Sequence, residues 1–485
     1  MYALGHELAQ TPSHKFDLAH MRVLLAALEH PERRFPSVLI AGTNGKGSTA
    51  ATLASILQAS GLRTGLYTSP HLIRINERIQ IDGQKITDDR FALLHDLIER
   101  TAERLVEEGD LPWHPSFFEM LTAMAFEHFA TNKVDIAVLE VGMGGRLDAT
   151  NVVDPRVSVV TDISLDHQKF LGNTIAEIAR EKAGILRPGG IVVTLPQMRE
   201  TNDVIGEAVL ERDARAVSAA QYVPPVSPKA ESYLEKQKPL TTEDVEAGAE
   251  NAEKTNGGLV SRYPLQVMGK QILVETPLLG RHQLRNIALA IAAAEELSAQ
   301  GFPVSAETIE RGVRETAWPG RFQIVPHVTP HFLKIARSGA RVESELDFVF
   351  DVAHNPAGAW ALRSALSNCF PDRRLIFIFG AMRDKAVGEI AEILFPLAER
   401  VIVTAAENPR SATPEEIQVA AARTGTEIEL SGGVQNAIEI ALNIARPDGS
   451  VRATQSVQTP VLVITGSIYV VGEAMRALGV GADGK

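Results

Sequence analysis

Ser37–Gln58 reads SVLIAGTNGKGSTAATLASILQ: an apolar run, a glycine-rich turn and a run with helical spacing in direct succession. That order is the context in which a strand, a phosphate-binding loop and a helix follow one another. Gly42, Gly45 and Gly47 permit a tight turn whose backbone N–H groups converge. Lys46 adds a charge suited to β- and γ-phosphates, and Ser48 offers a hydroxyl to Mg²⁺. The start of the following helix contributes its dipole and its unpaired N–H groups. The run departs from G-x-x-x-x-G-K-[ST] in two places: Ile40 stands where the first glycine would be, and Gly47 separates Lys46 from Ser48. A plain glycine turn with Lys46 facing solvent is the alternative that the same letters allow.

Outward from this stretch, Val-, Ile- and Leu-rich runs (SVLIA, VDIAVLEV, RVSVVTDI, GGIVVTL) alternate with helical patterns such as TIAEIAREKAGIL as far as Pro196. Runs lacking apolar/polar alternation are those of strands covered on both faces. The alternation restarts at DFVFDVAH and continues through RLIFIFGAM, RVIVTAA and PVLVITGSI. The expected fold class is therefore α/β: an N-terminal P-loop-type ATPase domain with a mostly parallel sheet, then a C-terminal Rossmann-like α/β domain. The Pro319–Gly320 pair suits a linker, which sets the expected divisions at 1–317, 318–322 and 323–485. Residues 224–258, rich in Pro, Glu and Lys and poor in apolar periodicity, read as a mobile surface insertion.

A chain of 485 residues with 45% hydrophobic and 22% charged residues is that of an ordinary globular protein of two domains. No apolar run approaches the roughly 20 residues of a spanning helix. Cys369, the single cysteine, excludes an internal disulfide and a cysteine metal site, and suits the reducing cytoplasm. A net charge of −12 argues against nucleic-acid and anionic-membrane partners. Anionic small molecules remain admissible if local devices attract them: helix N-termini, a few basic side chains, or bound cations.

Candidate residues cluster where strands end. Glu140 closes VDIAVLE, so its carboxylate is expected at the ligand-binding edge of the sheet, as a Mg²⁺ ligand with Ser48 or paired with Arg146 or Lys182 for structure alone. His167 follows RVSVVTDI at the same edge. Lys182 lies in a helical pattern, where a lysine is ordinarily solvated. Arg146, Asp148 and Asn151 fall in a glycine-rich loop and can equally hydrogen-bond that loop to itself. Glu119 in SFFE is read as completing a capping box. In the second half, Asn286 stands near a helix start, Arg321 follows the linker turn, and Asp351, His354 and Asn355 follow the strand DFVF. An arginine at a junction can reach a γ-phosphate or simply bridge the halves.

GTNGKGS, YTSPHL, NERI, EVGMGGRLDATN, LDHQ, EKAGI, WPGRF and DVAHNP occur in this order. The ordered set resembles the folylpolyglutamate synthase and dihydrofolate synthase family of Mur-type ligases. The resemblance implies ATP-dependent addition of L-glutamate to dihydropteroate or to a folate tail through an acyl phosphate. It implies ATP contacts from Thr43, Asn44, Gly45, Lys46, Gly47, Ser48, Thr49, Asn286, Arg321 and Asp351. It assigns Mg²⁺ to Ser48, Glu140, His167 and a carbamylated Lys182. Ser69, Pro70, His71, Asn76, Glu77, Arg78, Arg146 and Asp148 fall to the folate side, and His354 and Asn355 to glutamate, with Lys385 a weaker candidate. Lys46, Arg321 and His354 would carry catalysis. Val352 stands where the family has glycine. A Mur-type ligase acting on another carboxylate and a nucleotide-dependent regulatory module are the competing readings. A monomer with small-molecule partners only is expected.

Overall fold

A computed structural model describes residues 18–225, 259–326, 346–445 and 459–481. From residue 226 onward, the segment read as an insertion lies outside these described residues. The described chain forms two compact units. One gathers residues up to 224 with 264–273 and 285–316; the other gathers 225, 259–263, 274–284 and the residues from 317 on.

The first unit is built on eight strands: β1 (Ser37–Ala41), β2 (Thr64–Tyr67), β3 (Ile79–Ile81), β4 (Gln84–Lys85), β5 (Ile136–Glu140), β6 (Val157–Val160), β7 (Ile191–Thr194) and β8 (Arg215–Ser218). Their order is β4-β3-β2-β5-β1-β6-β7-β8, parallel except where β3 pairs antiparallel with β2 and with β4. β1 is central, and every residue of β1 and β5 is buried. This is why neither run alternates: both faces of the strand are covered. The helix Lys46–Ala59 returns the chain from β1 to β2, and its Ile56 packs so closely on the helix Ala306–Arg314 that a Cβ at Gly312 would lie 2.4 Å from the Ile56 Cα. Burying each such aliphatic side chain contributes roughly 1.5–3 kcal/mol.

A two-stranded sheet follows, β9 (Ser261–Val267) with β10 (Lys270–Thr276), turning through Met268 and Gly269, both at positive φ. The second unit carries β11 (Gln323–Val325), β12 (Asp347–Phe350), β13 (Leu375–Phe379), β14 (Arg400–Val403), β15 (Ile428–Leu430) and β16 (Val461–Thr465). Their order is β11-β12-β16-β13-β14-β15, parallel apart from the β11–β12 pair. Phe350, Phe377, Phe379 and Phe395 are wholly buried there. Each unit is thus α/β with a mostly parallel sheet, as its apolar runs imply. Cys369 ends the helix Pro356–Cys369, and burial pushes its thiol up to about 11, which makes it unreactive at neutral pH. Among the described residues no helix is long and apolar enough to cross a membrane.

Candidate active site

Three adjacent parallel strands, β5, β1 and β6, end together. In register, Ile40 lies opposite Glu140 and Ala41 opposite Val160, so the residues that follow leave the sheet side by side at its C-terminal edge. Open α/β sheets bind ligands at this edge. The loop after β1 is tied to the segment after β6: the Thr43 and Asn44 N–H groups donate to the Asp162 carbonyl at 2.9 and 3.1 Å. The Thr43 hydroxyl donates to the Ser164 carbonyl at 3.1 Å, and Asn44 Nδ2 donates to Ser164 Oγ at 3.2 Å. Asp162 is itself fixed by a bidentate ion pair with Arg285 at 2.5 and 3.0 Å.

The glycines are there because nothing larger fits. A Cβ at Gly42 would lie 1.7 Å from Thr161 Oγ1. Gly45 holds φ +89° at the start of the helix Lys46–Ala59, and its Cβ would lie 2.1 Å from Asn286 Oδ1. Asn286 therefore sits against the glycine-rich loop, where its carbonyl also accepts from the Thr49 hydroxyl at 3.4 Å. Gly45→Ala combines left-handed strain of roughly 1–2 kcal/mol with this clash. We expect the KM for nucleotide to rise at least about tenfold and the melting temperature to fall by a few degrees. Asn286→Ala added to it should restore part of the melting temperature and none of the nucleotide affinity. Wild-type affinity in Gly45→Ala would show that the loop does not need this backbone.

Two lysines converge on one carbonyl. Lys46 Nζ donates to the Gly42 and Thr43 carbonyls at 3.1 and 3.3 Å, and Lys182 Nζ donates to the Gly42 carbonyl at 2.7 Å. Lys182 is 4% exposed, against the ordinary expectation for a helical lysine. Burial, reinforced by the Lys46 charge and only partly opposed by Asp166 and Asp148, lowers its ammonium to about 7. Glu140 is also buried, and its Oε2 accepts the Ser69 N–H at 3.1 Å. Arg146 pairs with Glu181 at 2.9 Å, so the Glu140–Arg146 pairing considered from sequence is replaced by one with a neighbour of Lys182. Asp148 is largely buried and accepts from the Met143 and Thr150 N–H groups at 3.0 Å and from the Thr150 hydroxyl at 2.5 Å. Burial still raises its carboxyl above the usual range. His167 is at φ +51°, and its N–H donates to Asp166 Oδ1 at 2.8 Å. Ser48 is 2% exposed in the first turn of its helix.

The segment Ser69–Arg78 begins with a cis Ser69–Pro70 bond. Glu77 shapes it by accepting N–H groups from Leu72, Ile73 and Arg74, and Asn76 donates to the Ile86 carbonyl. Arg78 is buried, donates to His71 Nδ1 at 3.0 Å and lies 5.6 Å from the centre of the Phe117 ring. The resemblance puts Ser69, Pro70, His71 and Arg78 with the substrate; Glu77 spends its carboxylate on this loop, and Asn76 ties it to Ile86 and Asp88.

In the second unit, Asp351 leaves β12 with its carboxylate accepting the Phe322 and Ala353 N–H groups at 2.8 and 2.9 Å. Burial raises its carboxyl, opposed by these bonds and by Arg321 and His354. His354 Nδ1 lies 2.9 Å from the Val352 carbonyl, and Asn355 caps the helix Pro356–Cys369 by accepting the Gly358 N–H at 2.8 Å. Arg321 lies 5.8 Å from the Trp318 ring centre. Val352, buried, donates its N–H to the Gly320 carbonyl at 3.1 Å. Lys385 lies in the turn after β13, its N–H bonded to the Met382 carbonyl.

Sequence reasoning passed over Asp162, Ser164 and Arg285, which hold the glycine-rich loop, and Thr161, whose Oγ1 lies against Gly42. The signal for Asp162 was available: it stands two residues past a buried strand, as Glu140 ends one. Arg285 has no local signal, because its partner lies 123 residues away.

The Mur ligase middle domain family matches residues 115–294, and the Mur ligase, glutamate ligase domain family matches residues 338–456. The chain is 31% identical over 465 residues to the dihydrofolate synthase/folylpolyglutamate synthase of Bacillus subtilis, covering 95% of this chain and 94% of that protein. The folylpolyglutamate synthase of Mycobacterium tuberculosis complexed with ADP and AMPPCP superposes with a TM-score of 0.78 at 32% identity, covering 96% and 95% of the two chains. An FPGS–AMPPCP–folate complex superposes with a TM-score of 0.73 at 29% identity, covering 96% and 95%. With its phosphate loop, buried lysine and strand-end carboxylate set in a chain alike over nearly its whole length, this protein belongs to the folylpolyglutamate synthase/dihydrofolate synthase family of Mur-type ligases.

Proposed function

We propose that this protein, an ATP-dependent glutamate ligase by family, adds L-glutamate to dihydropteroate, to the glutamyl tail of tetrahydrofolate, or to both, releasing ADP and phosphate. The observation that carries the reading is the phosphate loop: Lys46 is already held over its own loop carbonyls, at a helix N-terminus, beside the buried Lys182 and a strand ending in Glu140. A carboxylate is a poor electrophile, so the γ-phosphoryl group passes to it first, and the glutamate amine then displaces phosphate from the acyl phosphate. Backbone N–H groups of Gly45–Ser48 and the Lys46 ammonium bind the phosphates and offset charge on the phosphoryl in flight. Arg321 supplies a second cation to that charge, Asn286 and Asp351 bind the nucleotide, and His354 and Asn355 orient the glutamate. Ser69, Pro70, His71, Arg78, Arg146 and Asp148 hold the pteridine-bearing acceptor.

The donor set suits Mg²⁺. Ser48 and Glu140 are buried oxygen donors, and His167 with a carbamylated Lys182 would complete a second position. Among the described residues no three His, Cys, Asp or Glu side chains converge, which fits an ion finished by phosphate oxygens and water rather than by a protein cage. When bound, Mg²⁺ neutralises phosphate charge. An amine lowered to about 7 is largely unprotonated in mildly alkaline solution, the form that captures CO₂. We assign residues 1–317 to an ATP-binding domain, 318–322 to a linker and 323–485 to a glutamate ligase domain, in a cytoplasmic monomer.

The test is incubation with ATP, Mg²⁺, L-glutamate and either dihydropteroate or tetrahydrofolate, following phosphate release and product mass. One glutamyl unit added per phosphate released is expected. Phosphate release without a glutamylated product from either acceptor would end the proposal.

A further inference from the structure

His20 is a buried histidine that the chemistry above does not use. It lies on the helix Leu18–Ala27, is 6% exposed, and touches a distant segment through both ring nitrogens. Nδ1 is 3.2 Å from Glu119 Oε1, and Nε2 is 2.9 Å from the Trp113 carbonyl. The ring also stacks on Trp113, 5.5 Å between centres at 28°. A carbonyl can only accept. Burial would raise the Glu119 carboxyl, but the hydrogen bonds from His20 and Ser116 outweigh it and hold it below the usual range, so it too accepts. The His20 imidazole thus bridges the Glu119 carboxylate and the Trp113 carbonyl, one through each ring nitrogen.

What this pair fixes is the first turn of the helix Phe117–Thr131. Ser116 and Glu119 form the capping box that the sequence predicts, with the Ser116 N–H on Glu119 Oε2 at 2.8 Å. Glu119 thus caps the helix with one oxygen and grips His20 with the other. The two residues between them face the candidate site. Phe117 lies under the Arg78 guanidinium. Phe118 packs 6.0 Å from Tyr67 and so close to Gly142 that a Cβ there would lie 2.5 Å from its ring. Gly142 opens the turn two residues after Glu140.

We propose that His20 is a positioning residue for the acceptor substrate: by bridging Trp113 and Glu119 it sets Phe117 and Phe118, and through them Arg78 and the turn after Glu140. The inference rests on the assignment of Ser69–Arg78 to the acceptor. Loss of the imidazole lets this aromatic pair shift, so the acceptor should bind more weakly while the phosphate loop, held by Asp162 and Ser164, is untouched.

Two variants test this. His20→Ala strands a buried carboxylate and is the harsher; Glu119→Gln keeps a good capping residue at the same helix position and removes only the charge. In steady state each should raise KM for the acceptor about tenfold, with kcat and the KM for ATP within about twofold of wild type. The double variant should be no worse than the worse single one, because both break one bridge. Equal rises in the KM for ATP and acceptor, or additive effects, would mean general loosening and overturn the proposal. Amide hydrogen exchange without substrate gives an arm independent of activity: faster exchange in residues 69–78 and unchanged exchange in 42–49 support positioning, and unchanged exchange at 69–78 rejects it. If wild-type protein glutamylates neither acceptor, the functional reading fails, while the exchange result still decides the role of His20.

Discussion

Lys46→Ala should lower turnover by roughly 10²- to 10³-fold while the protein stays folded. The ammonium is held at 3.1 and 3.3 Å from the Gly42 and Thr43 carbonyls, so it needs little reorganisation to meet a phosphate. Losing two hydrogen bonds from a half-buried side chain costs only about 1–2 kcal/mol of stability, and nucleotide binding keeps the backbone N–H groups and the helix dipole. The deficit should therefore appear more in kcat than in the KM for ATP, as expected of a charge whose value grows when the phosphoryl transfers. A second effect adds to it. The Lys46 charge helps to depress Lys182, so its removal lets the Lys182 ammonium rise and reduces the fraction of free amine near neutral pH. Raising pH should then recover part of the activity of Lys46→Ala beyond any gain shown by wild type. Initial rates across pH 6.5–9 with matched thermal melts check both points; activity within about fivefold of wild type would show that Lys46 does not face the transferring group.

The features that sequence displayed and those that it hid differ in the range of the interaction. SVLIA, VDIAVLE and RVSVV are apolar because β1, β5 and β6 are each covered on both faces, a condition stated by each strand's own residues. The capping box at Ser116–Glu119 is likewise complete within four residues. Three parallel strands make their C-terminal ends the expected place for ligand chemistry, and Lys46, Glu140 and His167 stand at or just past those ends. Tertiary pairings were not legible. Glu181, not Glu140, takes Arg146, because the glycine-rich loop folds onto the helix Ile175–Ala183, with the Arg146 N–H on the Glu181 carbonyl at 2.8 Å. Asn76 and Glu77 look like binding residues in a motif yet spend their hydrogen bonds on the loop itself. The β9–β10 turn is signalled by Met268–Gly269 rather than the usual Asn-Gly, a weaker mark of the same two positive φ angles.

Lys182→Met should stabilise the protein and abolish its activity. The unfolded chain holds a lysine proton up to its ordinary value near 10.5, whereas the folded chain releases it near 7. Between these values the unfolded state binds more protons, so wild-type stability rises with pH across that window. Below about 7 the full penalty of forcing a charge into the 4%-exposed site is present; toward 10.5 it vanishes. Methionine has a similar length and no charge, and it gives up only the hydrogen bond to Gly42, worth about 1 kcal/mol. A net gain of roughly 3 kcal/mol is expected at pH 6.5, shrinking to near zero by pH 10, as read from urea unfolding in bicarbonate-free buffer. Adding bicarbonate at pH 8 should stabilise wild type, because CO₂ binds only the folded amine, and should leave the variant unchanged. The proposed metal-ligand role gives a use to a lysine that costs stability in this way. Turnover of Lys182→Met near the wild-type rate would remove that use, and an unfolding free energy for wild type that is flat between pH 6.5 and 10 would remove the cost.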